Sequence, residues 1–110
     1  MARFVKGDIV VVPFPFSDLT QAKRRPALVI TTLKGDDIIL CQITSQMVSD
    51  TYAIPLQEND FASGSLKQLS NIRPNRIFTA DSNIILYLVG NLKAKKLLEV
   101  IEKIVEIIQA

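Results

Sequence analysis

Up to Leu92 the apolar positions come in short runs broken by polar clusters, and from Lys93 onward they recur every three or four residues. The first pattern predicts strands and the second a helix. In "GDIVVVPFPF" (Gly7 to Phe16) the run Ile9, Val10, Val11, Val12 favours a pleated, largely buried strand. Pro13 and Pro15 have no N–H to give to a ladder, so pairing there is confined to an edge. "SDLTQAKRR" follows as a polar loop. "PALVITTL" and "DIILCQIT" are two further strands joined by "KGDD", where Gly35 supplies the freedom a tight hairpin needs. "SQMVSD" reads as a loop, "TYAIPL" as a short strand and "QENDFASGSL" as an exposed connection. "NRIFTA" and "NIILYLVGNL" read as the last two strands, turning at Asp81-Ser82-Asn83.

In the C-terminal segment, Leu97, Val100, Ile101, Ile104, Val105 and Ile108 form one apolar helical face, and Lys95, Lys96, Glu99, Glu102, Lys103 and Glu106 cover the other. Asn91 is a candidate N-cap, because its side chain can accept from the first free backbone amides. Such a stripe serves core packing or a dimer contact. Short strands followed by one helix suggest a single mainly β domain over residues 1–110, a small closed barrel capped by the helix.

Composition narrows the chemistry more than the fold. Apolar residues make up 48% of the 110 positions and charged ones 22%, which is the profile of a globular chain. The net charge of +2 divides evenly, +1 before Lys93 and +1 from Lys93 on, so only local clustering can point to an anionic partner. Cys41 is the sole cysteine, which rules out an intrachain disulfide or a cysteine-built zinc site. The chain has no histidine, and with it goes the commonest general base and metal ligand. "MARFVKGDIV" carries no cleavable signal pattern and no apolar run is long enough to span a bilayer, so the expected compartment is the cytoplasm, with no membrane partner.

There is no Gly-rich phosphate loop, no Ser-His-Asp triad and no transition-metal cluster. What remains is "KRRPALVI", where three cations precede a proline and an apolar strand. Arginine offers a rigid fork of donors that matches phosphate oxygens and keeps its charge at neutral pH. Hairpin symmetry across "KGDD" sets Arg25 opposite roughly position 46, at the same open end as Thr44 and Ser45 of "QITSQ". Cations and hydroxyls of this kind can hold a phosphodiester without a metal, which favours RNA, whose 2′-hydroxyl is its own nucleophile. The residues alone also allow a plainer reading, in which the basic triplet is a solvated strand edge and the hydroxyls satisfy turn backbone. Arg73 and Arg76 form a basic turn that either widens such a track or serves solubility. Asp18, Glu58 and Asp60 are loop acids without an evident partner, and Cys41 reads as a small, inert core residue.

"GDIVVVPFPFSD", "RPALVI" after a basic loop, "CQITSQ", and "LVGNL" before a terminal helix together resemble the MazF/PemK toxins, the ribonuclease halves of type II toxin–antitoxin pairs. The resemblance runs through essentially the whole chain. It implies an SH3-like barrel, a homodimer, a small antitoxin partner, and cleavage of single-stranded RNA with no metal or other cofactor. It further implies that Arg25 and Thr44 are catalytic, with Ser45 beside Thr44. Lys23, Arg24 and Lys67, as cations near the expected phosphate site, and Ser17, Ser45 and Ser70 are the candidate RNA-binding residues. Some members use a first-loop histidine and a later aspartate–arginine pair; this chain lacks the histidine and offers Lys67, Gln68 and Ser70 where that aspartate is sought. The alternative on the same fold is a non-catalytic toxin of the CcdB type, which binds DNA gyrase. A barrel that only binds RNA or a peptide is the third possibility.

Overall fold

A computed structural model describes residues 4–14, 23–46 and 51–110. Seven strands run β1 (Asp8–Phe14), β2 (Lys23–Thr32), β3 (Asp37–Thr44), β4 (Ile54–Leu56), β5 (Phe61–Gly64), β6 (Ser70–Asp81) and β7 (Tyr87–Leu92), followed by α1 (Ala94–Gln109). They form one antiparallel sheet in the order β4-β6-β3-β2-β1-β7-β5. The fold is therefore mainly β with one C-terminal helix, as the sequence pattern predicts.

Alternation along the strands splits the apolar side chains into two cores, one on each face of the sheet. Ile9, Leu28, Cys41, Ile43, Ile72 and Leu92 face one way and meet Ile54, Leu56, Phe61 and the helix residues Val100 and Ile104. Val10, Val12, Ala27, Val29, Ile38 and Leu40 face the other way, under Phe4 and Ile85. Burial on both faces explains why β1 reads as an unbroken apolar run. The sheet curls around the first core as a half-barrel. Its edge strands β4 and β5 share no ladder, so the expected closure is made by their side chains and α1.

Three prolines, Pro13, Pro55 and Pro74, sit where an N–H is not required. Pairing of β1 with β7 covers Asp8 to Val11, so Pro13 lies beyond it, facing Arg24 of β2 on the other side. Pro55 lies on β4, which pairs with β6 alone. Pro74 sits in a wide bulge of β6: Cys41 pairs with Ile77 and Ile43 with Ile72, so Gln42 of β3 faces the whole stretch Arg73–Arg76. That bulge lets β6 begin at Ser70, five residues ahead of the expected "NRIFTA".

Three further expectations need correction. "QENDFASGSL" is not a plain connection, because Glu58–Asp60 form a 3₁₀ turn and Phe61–Gly64 form β5, anchored by buried Phe61. The turn expected at Asp81-Ser82-Asn83 is present as a 3₁₀ turn over Ser82–Ile84, with the Asp81 carboxylate accepting from Asn83 N at 2.8 Å, but the strand expected from Asn83 starts only at Tyr87. Asn91 is not the helix cap. It lies in β7 and donates to Asp8 Oδ1 at 2.9 Å, while Lys93 occupies the cap position without a side-chain bond. Asp8 also accepts from Val5 N at 2.9 Å, so this buried carboxylate ties the chain start to β7.

Candidate functional site

The β2–β3 hairpin brings the basic triplet to one open end of the sheet. Lys23, Arg24 and Arg25 pair with Phe14, Pro13 and Val12 of β1. On its other side β2 meets β3 through Ala27↔Gln42 and Leu28↔Cys41. Continuing that register two residues outward sets Arg25 directly opposite Thr44. The simple hairpin symmetry places Arg25 two residues further along; a bulge between Val29 and Thr31 and a hairpin loop that ends before Asp37 account for the difference.

Arg25 and Thr44 also share a face. Val12, the neighbour of Arg25, belongs to the second core, as does Ala27, the neighbour of Gln42. Alternation from Gln42 then puts Thr44 on that same side. Both residues are partly buried, whereas Ser45, Lys23 and Arg24 are exposed. The Thr44 hydroxyl oxygen accepts from Gln46 N at 3.1 Å. With that lone pair engaged, its O–H remains to donate outward. Across from Thr44 on β6 lies Asn71.

The electrostatics of this end are one-sided. Ion pairs among the described residues gather at the helix, where Lys96 meets Asp60 at 3.6 Å and Glu99 at 3.3 Å, and Lys103 meets Glu106 at 3.7 Å. None of them engages Lys23, Arg24, Arg25 or Arg76. The far end of the same strands carries Asp36, Asp37 and Asp81, with Asp37 opposite Asp81 in register. Cations at a strand mouth that no acid among the described residues pairs are what a phosphate-binding surface requires.

The other predicted residues are placed less uniformly. Ser17 and Asp18 lie outside the described residues. Ser70 is buried on the face of the first core, opposite Leu56, and its hydroxyl donates to the Gln68 carbonyl at 3.4 Å; it is not brought to Thr44. Lys67 sits on an exposed loop in the left-handed region at φ 60°, its N–H bonded to Ser65 Oγ at 2.9 Å. It borders a shallow pocket of about 300 Å³ with Glu58, Gln68 and Leu69, which shares no residue with the Arg25–Thr44 pair. The loop acids do have partners: Glu58 accepts from Ser65 Oγ at 2.9 Å, and Asp60 accepts from Gln57 N at 2.8 Å. Cys41 is fully buried as expected; burial pushes its thiol up to about 12, with backbone hydrogen bonding at Arg73 a smaller opposing influence. The thiol itself donates to the Arg73 carbonyl at 3.0 Å. Among the described residues no three His, Cys, Asp or Glu side chains stand together as a metal-ligand group. Motif reading passes over Gln42 and Asn71, although alternation within "DIILCQIT" marks Gln42 as the polar residue on the same face as Thr44.

The family model for the PemK-like, MazF-like toxins of type II toxin–antitoxin systems matches residues 5–108. The chain belongs to this toxin family. No curated protein sequence matches it significantly. Among solved structures, this MazF-like chain is similar to the MazE–MazF complex of Deinococcus radiodurans (Form-II), at 19% identity over 99% of this chain and 98% of that one, with a TM-score of 0.77. It is similar to Mycobacterium tuberculosis toxin MazF-mt6 at 20% identity, covering 93% and 96% of the two chains, TM-score 0.69. A mycobacterial endoribonuclease in complex with its cognate antitoxin aligns at 9% identity over 96% and 95%, TM-score 0.73. At these identities the likeness speaks for the MazF fold. No helix among the described residues of this MazF-like toxin is long and apolar enough to cross a membrane.

Proposed function

We propose that this MazF-like chain is a cytoplasmic endoribonuclease toxin that cuts single-stranded RNA without a metal ion. The observation that carries this reading is the placement of Arg25 and Thr44 on one face at one open strand end, beside cations that no described acid neutralises. In the proposed reaction the 2′-hydroxyl oxygen attacks the adjacent phosphorus and the bond from phosphorus to the 5′-oxygen breaks. The proton lost by the 2′-hydroxyl is balanced by one gained at the leaving oxygen, giving a 2′,3′-cyclic phosphate and a 5′-hydroxyl. The Arg25 guanidinium neutralises charge building on the phosphoryl oxygens, and the Thr44 hydroxyl donates to the same phosphate and holds it in line. Ser45, Lys23 and Arg24 flank the pair and follow the backbone; Ser17 and Lys67 are further proposed RNA contacts, and Ser70, buried on the face of the first core, is left out of the proposed track.

The test is cleavage of a defined RNA in excess EDTA, alongside a chimera carrying one deoxynucleotide on the 5′ side of the cut. Cutting of the all-RNA strand and resistance of the chimera are expected. Hydrolysis of the chimera would implicate an activated water in place of the internal nucleophile. An intact RNA in both arms would leave the non-catalytic toxin acting on a protein such as gyrase. The proposed toxin is a homodimer: Leu98, Val105 and Ile108 of α1 are exposed at 56%, 44% and 70%, and Leu86 and Leu88 at 47% and 55%. That much apolar surface favours a covering partner. Light scattering at micromolar concentration should give twice the mass of 12.2 kDa, and a monomer would count against the dimer.

A further inference from the structure

We propose that Gln42 reads the identity of one RNA base next to the scissile phosphate, an inference that rests on the RNA-cleaving function proposed above. The residue is out of character with its strand. β3 is otherwise apolar from Ile38 to Ile43, and Gln42 interrupts that run with a carboxamide on the Arg25–Thr44 face. Its ladder neighbours give it no polar partner directly across. On β2 it faces Ala27, whose methyl group is too short to shield it. On β6 it faces the Arg73–Arg76 bulge, where the ladder supplies no residue opposite.

Gln42 is partly buried, yet its side chain makes no hydrogen bond to another described residue. A partly desolvated amide of this kind needs water or a ligand to complete its bonding. It presents a donor beside an acceptor, the arrangement with which glutamine and asparagine engage base edges in two bonds at once. Unpaired RNA bases expose such edges freely. Gln42 lies two residues inward from Thr44, roughly 7 Å along a strand that rises about 3.3 Å per residue. A base attached to the sugar beside the phosphate held by Thr44 can reach that far. Arg25 and Thr44 touch only the phosphodiester, which is the same at every step of an RNA chain, so they leave the choice of sequence to a neighbour such as Gln42.

The test is a digest of a long RNA of randomised sequence by wild type, Gln42→Ala and Gln42→Glu, with every cut end mapped. Thermal melts of the three proteins run alongside. Wild type should prefer one base at a position adjoining the cut, and Gln42→Ala should relax that preference about tenfold or more, the scale of one lost two-bond contact. Gln42→Glu keeps the size and removes the donor, so it should change which base is preferred at the same position; it also serves if Gln42→Ala fails to fold. Cutting by folded variants with wild-type base preferences at every position would overturn the inference while leaving the ribonuclease intact. An RNA left whole by wild type overturns the proposed function, and this inference with it.

Discussion

Arg25 sits near the open end of β2, only partly buried and outside both cores, so its loss should be felt in chemistry and hardly in folding. Arg25→Ala is expected to melt like wild type and to cut RNA at least about a hundredfold more slowly, the scale of one preorganised charge-stabilising group. Wild-type-like cutting by that variant would remove Arg25 from the mechanism. Cys41 gives the opposite kind of residue, one whose ionisation matters to folding alone. Burial raises its folded value from 9.0 to about 12, so the folded state keeps a proton that the unfolded chain gives up above pH 9. Stability from this residue is present below pH 9 and declines as pH rises toward 12. Cys41→Ser should flatten that decline in urea unfolding measured from pH 8 to 10.5, and an unchanged slope would show that other groups set it. Both residues were legible in sequence, Arg25 from its Arg-Pro context and Cys41 from its apolar strand. Gln42 was legible only in part: alternation puts it on the Thr44 face, but nothing local tells that its neighbour on β2 is an alanine and its neighbour on β6 a bulge.

The elements that escaped sequence reading are those held by approach of distant backbone. β5 has only four residues and no alternating pattern, yet it pairs with β7 because Gly64 and Gly90 let the two chains close together. A Cβ on Gly64 would stand 2.1 Å from the Val89 carbonyl oxygen, and its φ of 76° belongs to glycine. Gly64→Ala is therefore expected to cost about 2 kcal/mol or more in urea unfolding, from steric conflict and backbone strain together. Gly35 shares a φ of 76° but meets nothing within 4 Å, so Gly35→Ala should cost only its strain, and the difference between the two variants isolates the contact. If both variants cost the same, backbone conformation alone accounts for Gly64. The Pro74 bulge is the other case. A proline flanked by arginine and asparagine looks like the end of a strand, but with only Gln42 opposite it the missing N–H costs nothing, and β6 continues through it.

At the scale of the whole molecule charge is unevenly spread over the sheet, with Lys23, Arg24, Arg25, Arg73 and Arg76 toward one end of β2, β3 and β6 and Asp36, Asp37 and Asp81, partly offset by Lys34, toward the other. The net charge of +2 conceals this separation, which is why composition alone gave no partner. An acidic, extended antitoxin segment is the natural complement of the basic end, since it can order itself there by neutralising Lys23, Arg24, Arg25 and Arg76, which form no ion pair among the described residues. RNA and the antitoxin are then expected to compete for one surface, and both affinities should fall as salt rises, because exposed charge contacts are screened within about 10 Å at 0.1 M. The combined variant Lys23→Glu and Arg24→Glu discriminates best, because both side chains are exposed and neither belongs to a core, so the fold should be kept. Binding would be followed with an uncleavable deoxy-substituted RNA and with an acidic antitoxin peptide, each titrated at two salt concentrations. The expected result is a loss of affinity for both ligands together and a shallower dependence on salt for both. Should the variant lose RNA while binding the peptide as wild type does, the two surfaces are separate, and inhibition must act from elsewhere on the molecule, with the exposed apolar face of α1 the first place to look.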